Sequence, residues 1–372
     1  MSEWKDFKFG ELLEEPVRNG IYKTKEFHGR GVKIVNMGEL FSYPRLTDVD
    51  MRKVEITESE KSKCLLKNGD LIFARRSLTA EGAGKCSIIY NIKEDTTFES
   101  SIIRARVNQL SASSEFLYYY FNSPYGKYLI GTILRQVAVA GITGSDLVEL
   151  TLRIPPLPEQ KAIASILSSL DDKIDLLQRQ NATLEALAET LFRQWFVEEA
   201  KEDWEEGTLD DLATFYNGKS RPKENGHIPI YGGNGILGYT DKFNYAGKSI
   251  IIGRVGAYCG SLYYENKEIW VSDNALLVKP KIESHTHYLY YLLKTLDLNS
   301  MAEGSSHPLI TQTLLKSIDV TIASNERIFQ FDEQVESFRN KINANNIQIR
   351  TLTTLRDVLL PKLMSGEVRV VV

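Results

Sequence analysis

The fold is decided by residues 157–195, which read LPEQKAIASILSSLDDKIDLLQRQNATLEALAETLFRQW. Apolar side chains recur there at alternating intervals of three and four residues, a spacing that suits one face of a helix and that a strand cannot use. Pro155, Pro156 and Pro158 come at or before the start of this segment and favour a helix start. We therefore predict a long helix whose seam comprises Leu167, Leu170, Ile174, Leu177, Asn181, Leu184, Ala188, Leu191 and Trp195.

The same pattern returns 168 residues later in the sequence. Two long seamed helices in one chain are expected to pack together as a coiled coil, in which Asn181 is a polar residue that can set the register. The alternative, that each helix merely covers its own domain, stays open at this point. Pro361 is expected to end the second helix. The second seam comprises Val335, Phe338, Ile342, Asn345, Ile349, Leu352, Arg356 and Leu359.

Outward from these helices, the rest of the chain repeats as well. Five motifs of the first half have counterparts in the same order in the second half, which indicates an internal repeat. Each half carries short β-rich runs between Gly, Asn, Asp and Pro residues, then a short aromatic helix, then the long helix. The paired motifs lie at 4–12 and 204–212, 69–75 and 247–254, 116–120 and 288–292, 141–147 and 309–315, and 172–174 and 340–342.

These patterns predict an α+β fold with a pseudo-two-fold internal repeat. The two similar β-rich domains are residues 1–154 and 204–321, and the two long-helix segments are residues 155–203 and 322–372. A length of 372 residues exceeds that of a typical single domain, which agrees with this division. A composition of 42% hydrophobic and 25% charged residues excludes collagen-like, low-complexity and disordered classes.

The net charge of −4 is concentrated in one part of the sequence. Residues 153–206 carry 12 acidic and 6 basic side chains, and the other segments are close to neutral. DNA binding needs a local cluster of Lys and Arg rather than a basic total, so the overall charge does not exclude it. Cys64, Cys86 and Cys259 form no CxxC pair, and no apolar run reaches membrane-spanning length. We expect a cytoplasmic protein that does not contact a membrane.

Two histidines and one glycine-rich motif imitate cofactor or metal sites. Residues 233–238, GNGILG, match a dinucleotide-binding pattern, but YTDK follows at 239–242, where such a site needs a helix. We interpret the motif as a glycine-rich hairpin. His285 and His287 lack further ligands at zinc spacing and are expected at the start of the second aromatic helix.

An acidic motif resembles a nuclease site. Glu265 and Lys267, with Asp241 upstream, loosely match the acidic and lysine residues of sites that hold Mg²⁺ through carboxylates. We favour the interpretation that they lie in a hairpin turn between strands at 261–264 and 269–271.

Several further stretches point to a known family. Residues 154–161, IPPLPEQK, and the helix that ends LFRQWF at 191–196 resemble the central conserved region of type I restriction-modification specificity (S) subunits, the HsdS family. Residues 359–368, LLPKLMSGEV, look like their C-terminal conserved region. Two more stretches are similar to a common type of target recognition domain in that family: IPIYGGNGILGY at 228–239 and IIGRVG at 251–256.

The resemblance covers essentially the whole chain. One departure is IASNER at 322–327, which lacks the proline-rich entry of the first long helix and leaves the start of the second undefined.

The resemblance implies an architecture and a set of partners. In that family two target recognition domains each read one half of a bipartite double-stranded DNA site, and the long helices pack antiparallel as a spacer. The subunit itself does no chemistry and holds no cofactor or metal. Two methyltransferase (M) subunits dock on it and modify adenine N6 with S-adenosylmethionine. Restriction (R) subunits add translocation and cleavage, for which ATP and Mg²⁺ are expected.

Candidate DNA contacts follow from side-chain chemistry. Base edges are read by Arg, Lys, Asn and Gln, and phosphates by Arg, Lys and hydroxyl groups. For each candidate, a merely solvated surface side chain is the open alternative. In the first domain the candidates are Arg30, Arg75, Arg76, Ser77, Lys85, Arg135 and Gln136. In the second domain they are Lys219, Arg221, Lys223, Asn234, Tyr239, Arg254, Tyr258, Ser306 and His307.

Two other functions stay open. A site-specific nuclease that uses Glu265 and Lys267 would cleave DNA by itself in the presence of Mg²⁺. A protein-binding scaffold would have no salt-dependent affinity for DNA, even with a methyltransferase present.

Overall fold

The computed structural model describes residues 3–136, 140–201, 204–304 and 308–370 and, for Gln136, the backbone alone. The chain forms two compact units. The first unit contains Met1–Leu176 and Ile349–Val372, and the second contains Leu177–Gln348. Each unit therefore combines one β-rich domain with parts of both long helices. In these ranges no helix has the length and apolar character needed to span a membrane.

The β-rich domain of the first unit mixes short strands and short helices. Its strands are β1 (Lys5–Lys8), β2 (Arg18–Asn19), β3 (His28–Val35), β4 (Arg45–Leu46), β5 (Lys53–Val54), β6 (Leu71–Ala74), β7 (Arg76–Ser77), β8 (Cys86–Ile89), β9 (Thr96–Phe98), β10 (Ile102–Ala105), β11 (Arg135–Gln136), β12 (Ala140–Gly141) and β13 (Thr151–Ile154). Its α-helices are α1 (Met37–Ser42), α2 (Glu58–Cys64), α3 (Ser114–Asn122), α4 (Pro124–Thr132) and α5 (Gly144–Val148), with 3₁₀ turns at Phe9–Leu12 and Lys25–Phe27.

The first long helix, α6 (Leu157–Arg193), continues into a π-helical turn at Gln194–Glu198. The strands of the second domain are β14 (Glu205–Thr208), β15 (Ala213–Asn217), β16 (Ile228–Gly232), β17 (Gly235–Thr240), β18 (Lys248–Gly253), β19 (Leu262–Asn266), β20 (Trp270–Val271), β21 (Ala275–Pro280) and β22 (Asp319–Ile322). Its helices are α7 (Leu209–Leu212), a 3₁₀ turn at Glu283–His285, α8 (Thr286–Thr295) and α9 (Gln312–Lys316), and the second long helix is α10 (Asn325–Ser365).

The sheets confirm the predicted α+β fold with an internal repeat. A five-stranded sheet of order β2-β10-β6-β8-β4 in the first unit corresponds to a four-stranded sheet of order β15-β21-β18-β19 in the second. The three-stranded sheets β5-β3-β9 and β17-β16-β20 each combine an antiparallel pair with a parallel pair. Finally, β1 pairs with β13 as β14 pairs with β22.

The repeat extends to single hydrogen bonds at the start of α5 and α9. Thr143 and Thr311 are the N-cap residues of these helices, and each hydroxyl accepts a hydrogen bond from a backbone N–H three residues later, at 3.1 Å in both cases. Such caps satisfy backbone donors that a helix start otherwise leaves without partners. The recurrence of the Ile-Thr motif in the sequence therefore marks a repeated helix start.

Each short aromatic helix packs onto the core of its own unit. In the first unit α3 supplies Phe121, whose ring lies 5.0 Å from that of Phe9 and 5.1 Å from that of Phe73. In the second unit Phe192 of α6 lies 5.8 Å from Tyr288 of α8. Aromatic pairs at such distances stabilise by about 0.5–1.5 kcal/mol beyond the area that they bury.

Within each unit the two long helices also pack against each other. In the first unit Asp171 pairs with Arg356 and Glu159 with Arg369; in the second Asn181 bonds to Asn345 and Glu185 pairs with Arg339. Residue numbers rise on α6 as they fall on α10, so the helices run antiparallel in each unit. The predicted seam positions are all buried or half-buried: Leu167, Leu170, Ile174, Leu177, Asn181, Leu184, Ala188, Leu191, Trp195, Val335, Phe338, Ile342, Asn345, Ile349, Leu352, Arg356 and Leu359.

Asn181 and Asn345 form a polar contact inside this seam. Asn345 Nδ2 donates to Asn181 Oδ1 at 2.8 Å, and Asn181 Nδ2 donates to Asn346 Oδ1 at 2.9 Å. Asn345 is buried, so its amide depends on this contact for a partner.

The prediction that Pro361 ends the second long helix is wrong. Helix α10 includes Pro361 and continues to Ser365. A proline inside a helix loses one backbone hydrogen bond. Leu363 and Met364, which follow it, are buried in the core of the first unit. Burial of these two side chains favours one more helical turn despite the missing bond.

The prediction of a hairpin between 261–264 and 269–271 is also wrong. Strand β19 pairs with β18, whereas β20 pairs in parallel with β16 in a different sheet. The intervening residues therefore connect two sheets. By contrast, the motif at 233–238 does lie in a hairpin, formed by β16 and β17, and His285 and His287 do lie at the start of α8.

Candidate nucleic-acid interface

A small sheet brings three predicted DNA contacts of the first domain together. In the sheet β11-β12-β7, Gly141 is the register partner of both Arg135 and Arg76. Ser77 pairs with Ala140 in the same sheet. Residues directly opposite each other across a sheet point to the same face. Arg76 and Arg135 therefore project from one face, on either side of a residue without a side chain.

The two arginines of this sheet differ in their partners. Arg135 forms an ion pair with Asp146 at 2.6 Å, although 62% of its side chain is exposed. Arg76 is exposed, and among the residues that the structure describes it has no ion-pair partner. Ser77 Oγ accepts a hydrogen bond from the backbone N–H of Thr79 at 3.2 Å. Arg76 is thus the cation of this group whose charge is available to a ligand.

Arg75 is held at the end of strand β6. Its backbone N–H donates to Ser101 O at 2.8 Å, and its carbonyl accepts from the N–H of Ile142 at 3.0 Å. Its side chain is half-buried, with Nη1 donating to Ser100 O at 3.3 Å. Successive side chains leave this strand end differently, as the sequence predicts for residues that follow a strand.

Two further candidates of the first domain lie apart from the small sheet. Lys85 Nζ donates to the carbonyl of Phe41 at 2.8 Å, and burial together with the charge of Lys127 lowers the pKa of Lys85. Arg30 belongs to the sheet β5-β3-β9 and pairs there with Glu55. The structure therefore does not join either residue to Arg76.

Arg30 stands at an irregularity of strand β3. His28 and Val32 both face Val54, so the residues between them bulge out of the ladder. The flanking Gly29 and Gly31 have φ of 99° and 95°, a region that side-chain-bearing residues rarely adopt. This bulge exposes Arg30 on a loop of its own.

In the second unit, Arg254 occupies the place that Arg75 has in the first. Its N–H donates to Asn274 O at 2.9 Å, and its carbonyl accepts from the N–H of Ile310 at 2.9 Å. Its side chain differs, because Nη1 reaches Asn217 Oδ1 at 3.4 Å. Asn217 comes two residues before the exposed Lys219, so the structure brings these two predicted cations to the same end of β15. Sequence reasoning missed Asn217, which no motif marks.

The remaining candidates of the second unit surround the glycine-rich hairpin. Arg221 pairs with Glu224 and donates to the carbonyl of Leu237 at 2.8 Å, so its charge has a partner inside the protein. Asn234 and Tyr239 are exposed on the hairpin itself. The other exposed candidates are Lys223 and Tyr258. The predicted contacts Ser306 and His307, and the side chain of Gln136, lie outside the described residues.

Glu265 and Lys267, the residues of the nuclease alternative, contact each other. Lys267 Nζ lies 3.2 Å from Glu265 Oε1, and the Tyr231 hydroxyl donates to the same oxygen at 2.6 Å. Within the described ranges, no grouping of three His, Cys, Asp or Glu side chains could hold a metal ion.

Comparison with known proteins gives a family and a fold. A family model described as type I restriction modification DNA specificity domain matches residues 1–186 and again 201–350. The chain is 24% identical to the MjaIX specificity subunit of Methanocaldococcus jannaschii, over 94% of this chain and 89% of that protein. It is 22% identical to the HindI specificity subunit of Haemophilus influenzae, over 99% of this chain and 100% of that protein.

A solved structure shows the same fold. The crystal structure of a type I restriction-modification system S subunit from M. genitalium matches with a TM-score of 0.66 and 20% identity, over 97% of this chain and 96% of that chain.

Proposed function

Because the chain belongs to the family of type I restriction-modification DNA specificity domains, we propose that it is the DNA-sequence specificity subunit of a type I restriction-modification complex. Each β-rich domain reads one half of a bipartite double-stranded DNA site. The long helices serve as spacer and as docking platform for two methyltransferase subunits, and restriction subunits complete the complex.

One observation carries this proposal. The two domains repeat the same architecture and place an arginine at the same backbone position, Arg75 in the first and Arg254 in the second. Further cations and amides around these positions differ between the domains. Two readers of one design with different side chains suit two half-sites of different sequence.

The proposal assigns the chemistry to other subunits. S-adenosylmethionine, ATP and Mg²⁺ would be bound by the methyltransferase and restriction subunits, and this chain would supply sequence recognition. The compartment in the proposal is the cytoplasm, which suits three free, buried cysteines, Cys64, Cys86 and Cys259.

Exposed apolar side chains on the long helices support the docking role. In the first unit Ile166 and Leu176 of α6, and Leu355 and Val358 of α10, are exposed large hydrophobic residues. Such residues on a surface favour contact with a partner protein. Replacing Leu355 and Val358 by Asp should weaken association with the methyltransferase, as measured by size-exclusion chromatography. The same change at Tyr22, an exposed residue of the β-rich domain, is the control and should leave association intact.

The test of DNA specificity is methylation sequencing of DNA modified by the reconstituted complex. The wild-type complex should methylate one bipartite motif. When residues 1–152 are replaced by the first domain of another family member, one half-site should change and the other should stay the same.

The alternatives predict other outcomes of the same experiment. Mg²⁺-dependent cleavage by this chain alone would indicate the nuclease. Absence of salt-dependent DNA binding by the complete complex would indicate the scaffold. A concerted change of both half-sites after the exchange would contradict independent reading by the two domains.

A further inference from the structure

The internal repeat lets one domain serve as a reference for the other at the small sheet of the first unit. In the first unit Gly141 pairs with Arg76 on one side and Arg135 on the other. In the second unit Leu309 forms bridges with Val255 and with Glu303. The sequence offset of 168 relates Gly141 to Leu309 and Arg135 to Glu303. The backbone arrangement is thus repeated.

The side chains of this arrangement differ in charge. The first unit carries two guanidinium groups at the outer positions, Arg76 and Arg135, and the second carries a valine and a carboxylate, Val255 and Glu303. The preceding residue is the same in both units, Arg75 and Arg254, with the same backbone hydrogen bonds. What the two units share must serve both half-sites, so sequence discrimination has to come from positions at which they differ.

The geometry of the first unit leaves the face between the two arginines open. Adjacent strands are about 4.8 Å apart, so Arg76 and Arg135 leave the sheet about 10 Å from each other. A Cβ at Gly141 would lie 2.9 Å from the carbonyl oxygen of Arg75 and 3.7 Å from Cγ of Arg76. The glycine therefore permits the close approach of β12 to this strand and leaves Arg76 without a bulky neighbour on that face.

From this geometry we propose that Arg76 selects a guanine in the first half-site. A β-ribbon fits the major groove, and a guanidinium can donate two hydrogen bonds to O6 and N7 of guanine, a pattern that no other base offers. Arg135, held by Asp146, is a positioning residue at the edge of the same face. The corresponding Val255 has no donor, so the second half-site is read by other side chains.

This inference rests on the proposed function and is tested on the complete complex with methyltransferase. Two variants replace Arg76: Arg76→Val introduces the residue of the second unit, and Arg76→Lys keeps the charge but lacks the two-pronged donor. In both, preference for guanine at one position of the first half-site should fall by roughly 5- to 150-fold, the range for one such contact. The second half-site should not change. Methylation sequencing measures both.

The matched control is Val255→Ala at the corresponding position of the second unit, which should change neither half-site. Thermal unfolding and assembly with methyltransferase confirm that each variant folds, and Arg76→Lys decides the outcome if Arg76→Val does not assemble. An unchanged first half-site in the variants would overturn the inference. Equal loss at every sequence, with a smaller salt dependence of binding, would also overturn it, because it would identify a phosphate contact. If the wild-type complex methylates no bipartite motif, the proposed function itself fails.

Discussion

Asp171 in the first unit and Arg339 in the second occupy the same position of the repeat, 168 residues apart, but carry opposite charges. Each contacts the equivalent tyrosine of its short aromatic helix. Tyr119 Oη donates to Asp171 Oδ2 at 2.7 Å, and Arg339 Nη2 donates to Tyr291 Oη at 3.1 Å. The contact with the tyrosine is preserved while its charge is reversed.

The partner charge comes from the other long helix in each unit. Arg356 of α10 pairs with Asp171 at 2.8 Å, and Glu185 of α6 pairs with Arg339. Helix α6 thus supplies the carboxylate both times and α10 the guanidinium both times. If two copies of α6 were packed in the same register, Asp171 would meet Glu185, and two copies of α10 would bring Arg339 to Arg356. The charges therefore favour pairing of unlike helices and oppose pairing of like ones.

Reversing one charge should have the largest effect on this comparison. Arg339→Glu places two carboxylates beside Tyr291, at a position where only 12% of the arginine side chain is exposed. We expect the free energy of unfolding to fall by about 3–5 kcal/mol, the usual cost of breaking a buried pair. Asp171→Arg should have an effect of similar size in the first unit. Denaturant unfolding measures both.

The double variant Arg339→Glu with Glu185→Arg should recover part of the loss, since the pair is restored with its polarity reversed. A control on the surface of the same unit is Lys316→Glu, which opposes Asp210 in a pair with side chains 45% and 50% exposed. That change should cost less than about 1 kcal/mol. Equal losses in the buried and the surface variants would contradict the argument from burial.

The second unit also differs from the first in a pair of buried titratable groups at the start of α8. Asp332 accepts the backbone N–H groups of His287 and Tyr288 at 2.9 and 2.7 Å. Burial raises the pKa of Asp332 to about 7 and lowers that of His287 to about 4. Glu336, which bonds to the His287 ring and pairs with Lys248, has a lowered pKa.

The two buried groups act in opposite directions as the pH changes. The folded-state pKa of Asp332 is raised, so its stabilising contribution is lost as the pH rises towards 7; the pKa of His287 is lowered, so its contribution is lost as the pH falls from about 6.5 to 4. Over that interval the slopes oppose each other. Asp332→Asn removes one of them, and its free energy of unfolding should fall on acidification by up to about 1.4 kcal/mol per pH unit. Unfolding at pH 7.5, 6 and 4.5 measures this, as set beside the wild type. A variant with no steeper pH dependence than the wild type would show that His287 does not titrate in this way.

Much of the architecture could be predicted because it is periodic. The spacing of three and four places Leu167 and Val335 in the buried seam, and the offset of 168 residues locates Thr143 and Thr311 at two helix starts. Pro361 misled because local propensity says nothing about burial of the residues after it.

Contacts between distant short strands were beyond sequence reasoning. Strands β7, β12 and β11 have two residues each and bring Arg76 beside Gly141 and Arg135 from nearly 60 positions away. Segments of that length carry no periodic signal. The pairing of β20 with β16 was missed for the same reason, although the same parallel pairing occurs in the first unit between β9 and β3. The charge difference between Arg135 and Glu303 could have been found, because it needs only the offset.

The smallest expected effect concerns the polar contact between the long helices. Asn345 corresponds in the repeat to Leu177, and Asn181 corresponds to Ile349, so the second unit carries a polar pair where the counterpart positions are apolar. Replacing Asn345 alone by Leu leaves part of the Asn181 amide without its partner and should cost about 1–2 kcal/mol. Replacing both, Asn181→Ile with Asn345→Leu, removes the unsatisfied groups together.

The double variant should therefore be as stable as the wild type or about 1 kcal/mol more stable, because apolar residues of similar volume replace a buried polar pair. Its cost should be in specificity, since a polar residue in a seam penalises other registers. Cysteines introduced at Glu185 and Arg339, whose side chains contact each other, report the register by disulfide formation in otherwise wild-type and double-variant chains. A lower yield in the double variant, at unchanged or higher stability, is the expected result. Equal yields would mean that the charged pairs alone are sufficient to align the helices.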